Sequence, residues 1–334
     1  MRGKNSNKIA VILLVFSFII LFLVLIHLPY DLKGKEKVVV IIRRGMGVKE
    51  IAETLSKSEL INSKTLFLLV SLFYGRRFIA GEYEFSRNMS TIHIMRMMKK
   101  GERKIYLVKI IEGSSLADVA SSLEKNLVMK KEEFLKLARD REFLNMLNIP
   151  SDSIEGYLAP DTYYYSREIS LNDLFAKIVN RTFRYFENEK MRRRMAELGF
   201  DVHKTLTLAS LIEKEAKLEK EKPLISAVFH NRLRYGMPLE CDPTVLYGTE
   251  RTGPITKEDL KRKTDYNTYT FKGLPPGPIC NPSESSIRAA LFPADVDYLY
   301  FVSRNDGSHV FSRSLREHTK YVKLYQRRNS NSTN

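Results

Sequence analysis

The sequence predicts an α+β protein with an N-terminal transmembrane helix, then a small strand-helix region, then a larger mixed α/β domain. Three observations predict it. An uncharged apolar run stands near the start, and a strand-glycine-helix unit occurs twice behind it. The remainder alternates amphipathic helical stretches with short strands and Pro/Gly-rich loops.

The run from Ile9 to Ile26 carries no charge. As a helix it covers roughly 27 Å at 1.5 Å per residue, about one hydrocarbon core. Arg2, Lys4 and Lys8 precede it without an acidic residue among them, which predicts a cytoplasmic stub at 1–8, an anchor at 9–28 and an extracytoplasmic remainder. A cleaved signal peptide fits less well, because the apolar core is long and no A-x-A-like site follows it. The expected location is the cytoplasmic membrane, single-pass, with the N-terminus inside.

The 55 basic and 39 acidic residues leave a formal charge of +16, which suits anionic surroundings such as lipid headgroups or cell-wall polymers. Nucleic acid is not an expected partner. The topology opposes it, no zinc-finger or RNP-type signature is present, and the basic residues are spread along the chain. Cys241 and Cys280 are the two cysteines, too few for a disulfide scaffold, and whether they pair is left open. The six histidines are scattered, and none stands at ligand spacing from a Cys or Glu. No metal site and no cofactor are expected.

After a polar linker, Val38 to Ile42 reads as a strand, Gly45 and Gly47 as a turn, and Val48, Ile51, Ala52 and Leu55 as the apolar face of a helix. The pattern returns as Tyr106 to Ile111, Gly113, then Leu116, Val119, Ala120 and Leu123. Glu50 of the first copy matches Asp118 of the second. Each copy resembles half of a LysM module, a small fold that binds N-acetylglucosamine chains, so a LysM-like domain is expected at 38–125. Common strand-turn-helix packing without glycan contact is the alternative. Between the copies, a helix from Ser63 to Tyr74 should stop at Gly75. A strand should run from Gly81 to Phe85, and a helix should open at Ser90 and close at Gly101.

Lys130 to Asn148 reads as amphipathic helix, and Ile154 to Tyr165 as a loop crowded with glycine, proline and aromatic residues, the kind that carries function. Helices are expected at roughly 171 to 196, 202 to 219 and 222 to 235. A hairpin is expected from Tyr298 to Phe311 around Asn305-Asp-Gly307. These make a second domain at 150–325, followed by a disordered tail at 327–334.

Two carboxylates, Glu213 and Glu215, intrude into the apolar helix Thr205 to Ala216. At about 100° per residue they point about 160° apart and flank the stripe of Leu208, Ile212 and Ala216. Apolar neighbours raise a carboxyl pKa and suit it to act as an acid near neutral pH. Glu213 also stands four residues before Lys217, the order of an ordinary surface ion pair. Periodicity does not choose between the two.

The stretches Leu208-Ala-Ser-Leu-Ile-Glu-Lys-Glu-Ala216, Ser226 to Leu233, Asp242-Pro-Thr-Val245, Tyr266-Asn-Thr-Tyr269 and Gly273-Leu-Pro-Pro-Gly-Pro-Ile279 occur in that order. With Glu155-Gly-Tyr-Leu-Ala-Pro-Asp-Thr-Tyr163 they resemble the MltG (YceG-like) family of endolytic murein transglycosylases, from the anchor to about residue 325. The resemblance implies that the first Glu of the E-K-E string, Glu213, is the catalytic acid, with Glu215 as the fallback. Ala159 departs from the Phe frequent in the family's loop. Cys241 occupies a position usually polar and unreactive.

A lytic transglycosylase needs one carboxyl, because the substrate's own C6 hydroxyl attacks and no water has to be activated. The resemblance implies cleavage between N-acetylmuramic acid and N-acetylglucosamine inside nascent glycan strands, leaving 1,6-anhydro ends. Residues expected to position the glycan are Asp161, Tyr163, Glu215, Asn231, Asp242, Tyr266, Asn267 and Tyr269, since amides, phenols and carboxylates suit sugar hydroxyls. The expected partners are peptidoglycan strands and the cytoplasmic membrane, with peptidoglycan synthases as candidates. A muramidase using Asp161 or Asp242 as second carboxylate, and a non-catalytic wall-binding scaffold, are the rival readings.

Overall fold

The computed structural model describes residues 2–249, 251 and 253–325, the side chains of residues 2–11 excepted. The tail expected at 327–334 lies outside the described residues. The chain forms two compact units. The first takes the described residues up to Tyr106 together with Tyr164–Ser170, and the second takes Leu107–Tyr163 and the described residues from Leu171 onward. The division falls inside the stretch 38–125.

In the first unit, helix α1 (Arg2–His27) precedes strand β1 (Lys37–Ile42), α2 (Val48–Lys57), α3 (Lys64–Tyr74), β2 (Gly81–Ser86) and α4 (Thr91–Lys100). Among the described residues no helix is long and apolar enough to cross a membrane. The side chains of Ile9, Ala10 and Val11, which begin the apolar run, are outside that description. Strands β1 and β2 pair antiparallel with Val40 opposite Tyr83, and Val40, Ile51, Leu55, Phe67, Tyr83 and Met95 bury one core. The helix ends follow local chemistry: Ser63 Oγ accepts from the Leu66 amide, Ser90 Oγ accepts from the His93 amide, and Gly101 closes α4 in the left-handed region.

The second unit begins with most of β3 (Tyr106–Ile110), then α5 (Leu116–Lys125), α6 (Lys131–Leu137) and α7 (Arg141–Met146). The helix expected over Lys130 to Asn148 is two, because Asp140 leaves the helical region and caps the Phe143 amide. Strand β4 (Asp161–Tyr165) pairs with β3, so the loop read over Ile154 to Tyr165 ends in a strand. Helices α8 (Leu171–Tyr185) and α9 (Glu189–Leu198) replace the single helix expected to 196. Asn188 interrupts it as an extended cap. Next come α10 (Val202–Glu215), α11 (Lys222–Arg234), α12 (Lys257–Lys261), α13 (Glu284–Leu291), the hairpin β5 (Tyr300–Ser303) with β6 (His309–Ser312), and α14 (Leu315–Tyr325). Asn305 and Gly307 take positive φ at the hairpin turn.

The two sequence copies share their local geometry. Gly45 and Gly113 both have positive φ. The Glu50 carboxylate accepts from the Gly47 amide and the Asp118 carboxylate from the Ser115 amide, each holding the first turn of its helix. Ile51, Ala52 and Leu55 are buried in one, and Val119, Ala120 and Leu123 in the other.

Candidate active site

Helix α10 is the axis of the second unit. Eight consecutive residues, Thr205 to Ile212, are buried, so the helix is enclosed on all sides rather than along one stripe. Helices α11 and α13 and the 3₁₀ turn Asp242–Thr244 pack against it. Its polar interior residues are satisfied locally: Thr205 and Thr207 donate to carbonyls one turn back, and Ser210 donates to the Thr207 carbonyl while accepting from the Ile279 amide. The helix ends at Glu215, because Ala216 is extended. Both candidate acids therefore lie in its last turn, where the packing opens.

Glu213 points into a cage of donors. Its Oε2 accepts from the Ser283 amide at 3.0 Å, Ser283 Oγ at 2.5 Å and Ser286 Oγ at 2.6 Å. Lys222 Nζ lies 3.4 Å away, with only 3% of the lysine side chain and 9% of the glutamate side chain exposed. The same ammonium donates to Ser283 and Ser285. Ser283 caps α13, so the carboxylate also sits at the positive end of that helix.

Glu215 faces a different setting. It borders a cavity of about 260 Å³ whose walls include Arg232, Asp242, Tyr269, Phe301, His309 and His318. Burial pushes its pKa up to about 7; the Cys241 thiol and the Asp242 amide, donating to the carboxylate, oppose the rise, and the Asp242 charge adds to it. The Cys241 thiol is buried and its own pKa is raised well above the usual range, first by burial and then by Glu215. Cys241 and Cys280 are both free thiols. Tyr269 Oη donates to Asp242 Oδ1 at 2.5 Å, fixing the two side chains against each other on one wall.

The other expected positions separate into two groups. Asp242 and Tyr269 share the Glu215 cavity. Tyr266 borders another cavity of about 890 Å³, its ring 4.6 Å from that of Tyr247. Asp161 is exposed and paired with Arg181. The Thr162 amide and then Arg181 hold its carboxyl below the usual range. Tyr163 Oη donates to the Ala159 carbonyl. Asn231 Nδ2 donates to the Val296 and Tyr298 carbonyls, and its Oδ1 accepts from Arg234. Asn267 Nδ2 donates to three carbonyls at the end of α12. These last two amides brace the backbone and border neither cavity that holds Glu215 or Tyr266.

Sequence reasoning passed over several residues around Glu215. Arg232 donates to the carbonyls of Leu299, Pro238 and Leu239 and to the Glu240 carboxylate, tying α11 to the start of β5. His309 is held twice by Glu221: its amide donates to Oε1 at 3.1 Å, and its Nδ1 lies 2.7 Å from Oε2. No spacing marks these residues, because they meet across separations of up to 88 positions. The one available signal was His309 next to the hairpin turn, a histidine opening a strand of Val310, Phe311 and Ser312. Among the described residues no group of acidic, His and Cys side chains could hold a metal ion.

A model of the YceG-like family matches residues 40–324. The endolytic murein transglycosylase of Bacillus subtilis (strain 168) is 33% identical over 315 residues, covering 89% of this chain and 87% of that protein. The endolytic murein transglycosylase of Streptococcus pneumoniae serotype 2 is 28% identical over 333 residues, covering 88% of this chain and 59% of its own length. A 2.6 Å crystal structure of a yceG-like protein from Listeria monocytogenes aligns with a TM-score of 0.58 at 34% identity, covering 86% of this chain and all of that one. With the family model spanning most of its length and a one-third-identical relative matching most of both chains, this chain belongs to the YceG-like family.

Proposed function

We propose that this protein is an endolytic peptidoglycan lytic transglycosylase whose acid is Glu215, the second glutamate of the E-K-E string, rather than Glu213. The observation that carries the assignment is the contrast between the two carboxyls. Glu215 borders an open cavity and has a pKa raised to about 7 by burial, whereas Glu213 is engaged by Ser283, Ser286 and Lys222. An acid must reach the leaving oxygen, and Glu213 Oε2 is already occupied by the Ser283 and Ser286 hydroxyls and the Ser283 amide.

In this reading, protonated Glu215 gives its proton to the bridging oxygen as the C1–O4 bond between N-acetylmuramic acid and N-acetylglucosamine breaks. The C6 hydroxyl of the same muramic acid then closes on C1, and its proton returns to Glu215, so no water is consumed and the acid is restored. The Asp242 carboxylate, held by Tyr269, faces the same cavity and would offset the positive charge that develops on the sugar ring. Asp242 also keeps the muramidase reading in play, since two carboxylates flanking one bond is the hydrolase arrangement. Mass spectrometry of digested glycan strands separates the two. Anhydromuramyl ends support the lyase, and reducing ends the hydrolase.

The decisive variant is Glu215→Gln. It should lower turnover at least 10²-fold, with the pH profile of the wild type falling above about pH 7 as Glu215 ionises. A Glu215→Gln enzyme that cleaves at the wild-type rate sinks the assignment.

Location belongs to the same proposal. Helix α1 shows Leu14, Phe16, Phe18 and Leu21 to solvent behind the basic residues Arg2, Lys4 and Lys8. Such a surface suits a lipid-embedded anchor with the body outside the cytoplasmic membrane. The LysM-like region would then touch the glycan close to where new strands emerge, beside the synthases that extend them.

A further inference from the structure

A second cavity of this unit lies apart from the one that Glu215 borders. It has a volume of about 890 Å³, and Arg139, Arg141 and Arg251 stand around it. We propose that this cavity is a subsite for the carboxylate-bearing stem peptide of the glycan strand, with Arg139 as its anionic-group anchor; the inference rests on the transglycosylase reading above and adds the part of the substrate that the reading leaves unplaced.

The charge around the cavity is unbalanced. Arg251 is committed to Asp259 and the Pro254 carbonyl. Arg141 pairs with Asp152 at 3.2 Å, but both side chains are largely exposed, so the pair is weak and easily exchanged for a ligand carboxylate. The Arg139 side chain has no ion pair or hydrogen bond among the described residues. Arginine's planar fork is matched to carboxylates in two-point contact, which makes it the side chain suited to such a group.

The floor holds the Glu155 carboxyl, on which the Arg139 charge acts. Glu155 is buried, and both of its oxygens accept from the Leu116 amide at 3.1 Å while Tyr247 Oη donates to Oε2 at 3.0 Å. Burial pushes its pKa up to about 7, so near neutral pH it is partly protonated. Its role is to fix Tyr247, whose ring stands against Tyr266 as one wall. Leu135, Leu246, Pro150 and Pro276 supply apolar surface of the kind that suits the methyl groups of alanine residues.

The geometry of the chain brings this cavity within reach of the cutting site. Asp242 borders the Glu215 cavity and Tyr247 borders the arginine cavity. They stand five positions apart, at most about 18 Å if fully extended, and less here because the segment opens with a 3₁₀ turn. A five-residue peptide on the lactyl group of a muramic acid bound near Glu215 spans a comparable length. The stem carries several carboxylates, which a guanidinium can hold in two-point contact.

Two measurements on the full-length protein test this. In the first, a soluble stem pentapeptide is titrated by calorimetry against the wild type, Arg139→Ala and Arg139→Glu, with its carboxamide form as control. Arg139 is exposed, so both variants should fold. Roughly tenfold weaker binding of the acidic peptide to Arg139→Ala, a larger loss with Arg139→Glu, and weak binding of the carboxamide form to all three are expected. In the second, cleavage of strands bearing stems is compared with strands stripped of them by an amidase. The wild type should prefer stemmed strands, and Arg139→Ala should lose most of that preference while cutting stripped strands at the wild-type rate. Equal peptide binding by all three proteins overturns the subsite, as does preferential binding of anionic lipid vesicles or inorganic polyphosphate over the peptide. A wild type that cleaves neither substrate overturns the transglycosylase reading instead, and the titration still judges the cavity.

Discussion

Glu213 and Glu215 are two residues apart and sit in different surroundings. Around Glu213, the hydroxyls of Ser283 and Ser286 and the buried Lys222 ammonium make the charge part of the framework. Removing one partner of a buried pair strands the other, at a cost of about 3 kcal/mol. Glu213→Gln should therefore lower the melting temperature by roughly 6–12 °C, a shift that calorimetry reads directly, while the folded fraction still cleaves glycan. Unchanged stability with lost turnover would return the acid's role to Glu213. Glu215 makes stability depend on pH. Its folded pKa of about 7 lies above the ordinary 4.5, so the folded state holds the extra proton between those values and stability falls as pH rises through that window. Glu215→Gln has no proton to lose, so its stability relative to the wild type should improve between pH 5 and pH 8, measured as a difference in melting temperature across that range.

Most helix ends were legible because they depend on neighbours in sequence. Ser63, Ser90, Gly75 and Gly101 end their helices where their side chains or their freedom at positive φ require it. The breaks at Asp140 and Asn188 were not legible, although both residue types cap helices well. The apolar spacing continues across them, and only the packed chain shows that the helix axis changes there. The loop from Ile154 to Tyr165 was recognised by composition, but its construction depends on distant chain. Asn281 Oδ1 accepts from the amides of Gly156 and Leu158, and its Nδ2 donates to the Ser114 carbonyl. Gly156 has φ +81°, and a Cβ there would stand 2.3 Å from Pro278 Cβ. Gly156→Ala should thus cost about 3 kcal/mol or more. Gly199→Ala, at φ +66° with open space around it, should cost only the 1–2 kcal/mol or so of left-handed strain. Denaturant melts of the pair measure the difference, and equal losses would show that the Pro278 contact relaxes freely.

For the molecule as a whole, the net charge of +16 and the apolar helix α1 bear on where the protein works rather than on how it folds. If the anchor holds the cutter beside nascent strands, a form beginning after residue 30 and exported by a cleavable signal should leave longer glycan strands in the wall. Chromatography of strands from purified sacculi reads this, and an unchanged length distribution would refute the proposal that α1 is an anchor holding the enzyme there.

Sequence alone determined whatever is written in local order. It marked the apolar run, the twice-used strand-turn-helix unit, the hairpin turn, and the ordered motifs that resemble the YceG-like family. Helical and strand periods, caps and turns act over a few residues, so their signals survive in one dimension. Only the tertiary structure decided which glutamate meets a cavity, that Asn231 and Asn267 brace backbone, and that Arg232, Glu221 and His309 gather near Glu215. Those outcomes depend on which segments pack around the end of α10, and burial and charge add up across contacts that no spacing along the chain encodes.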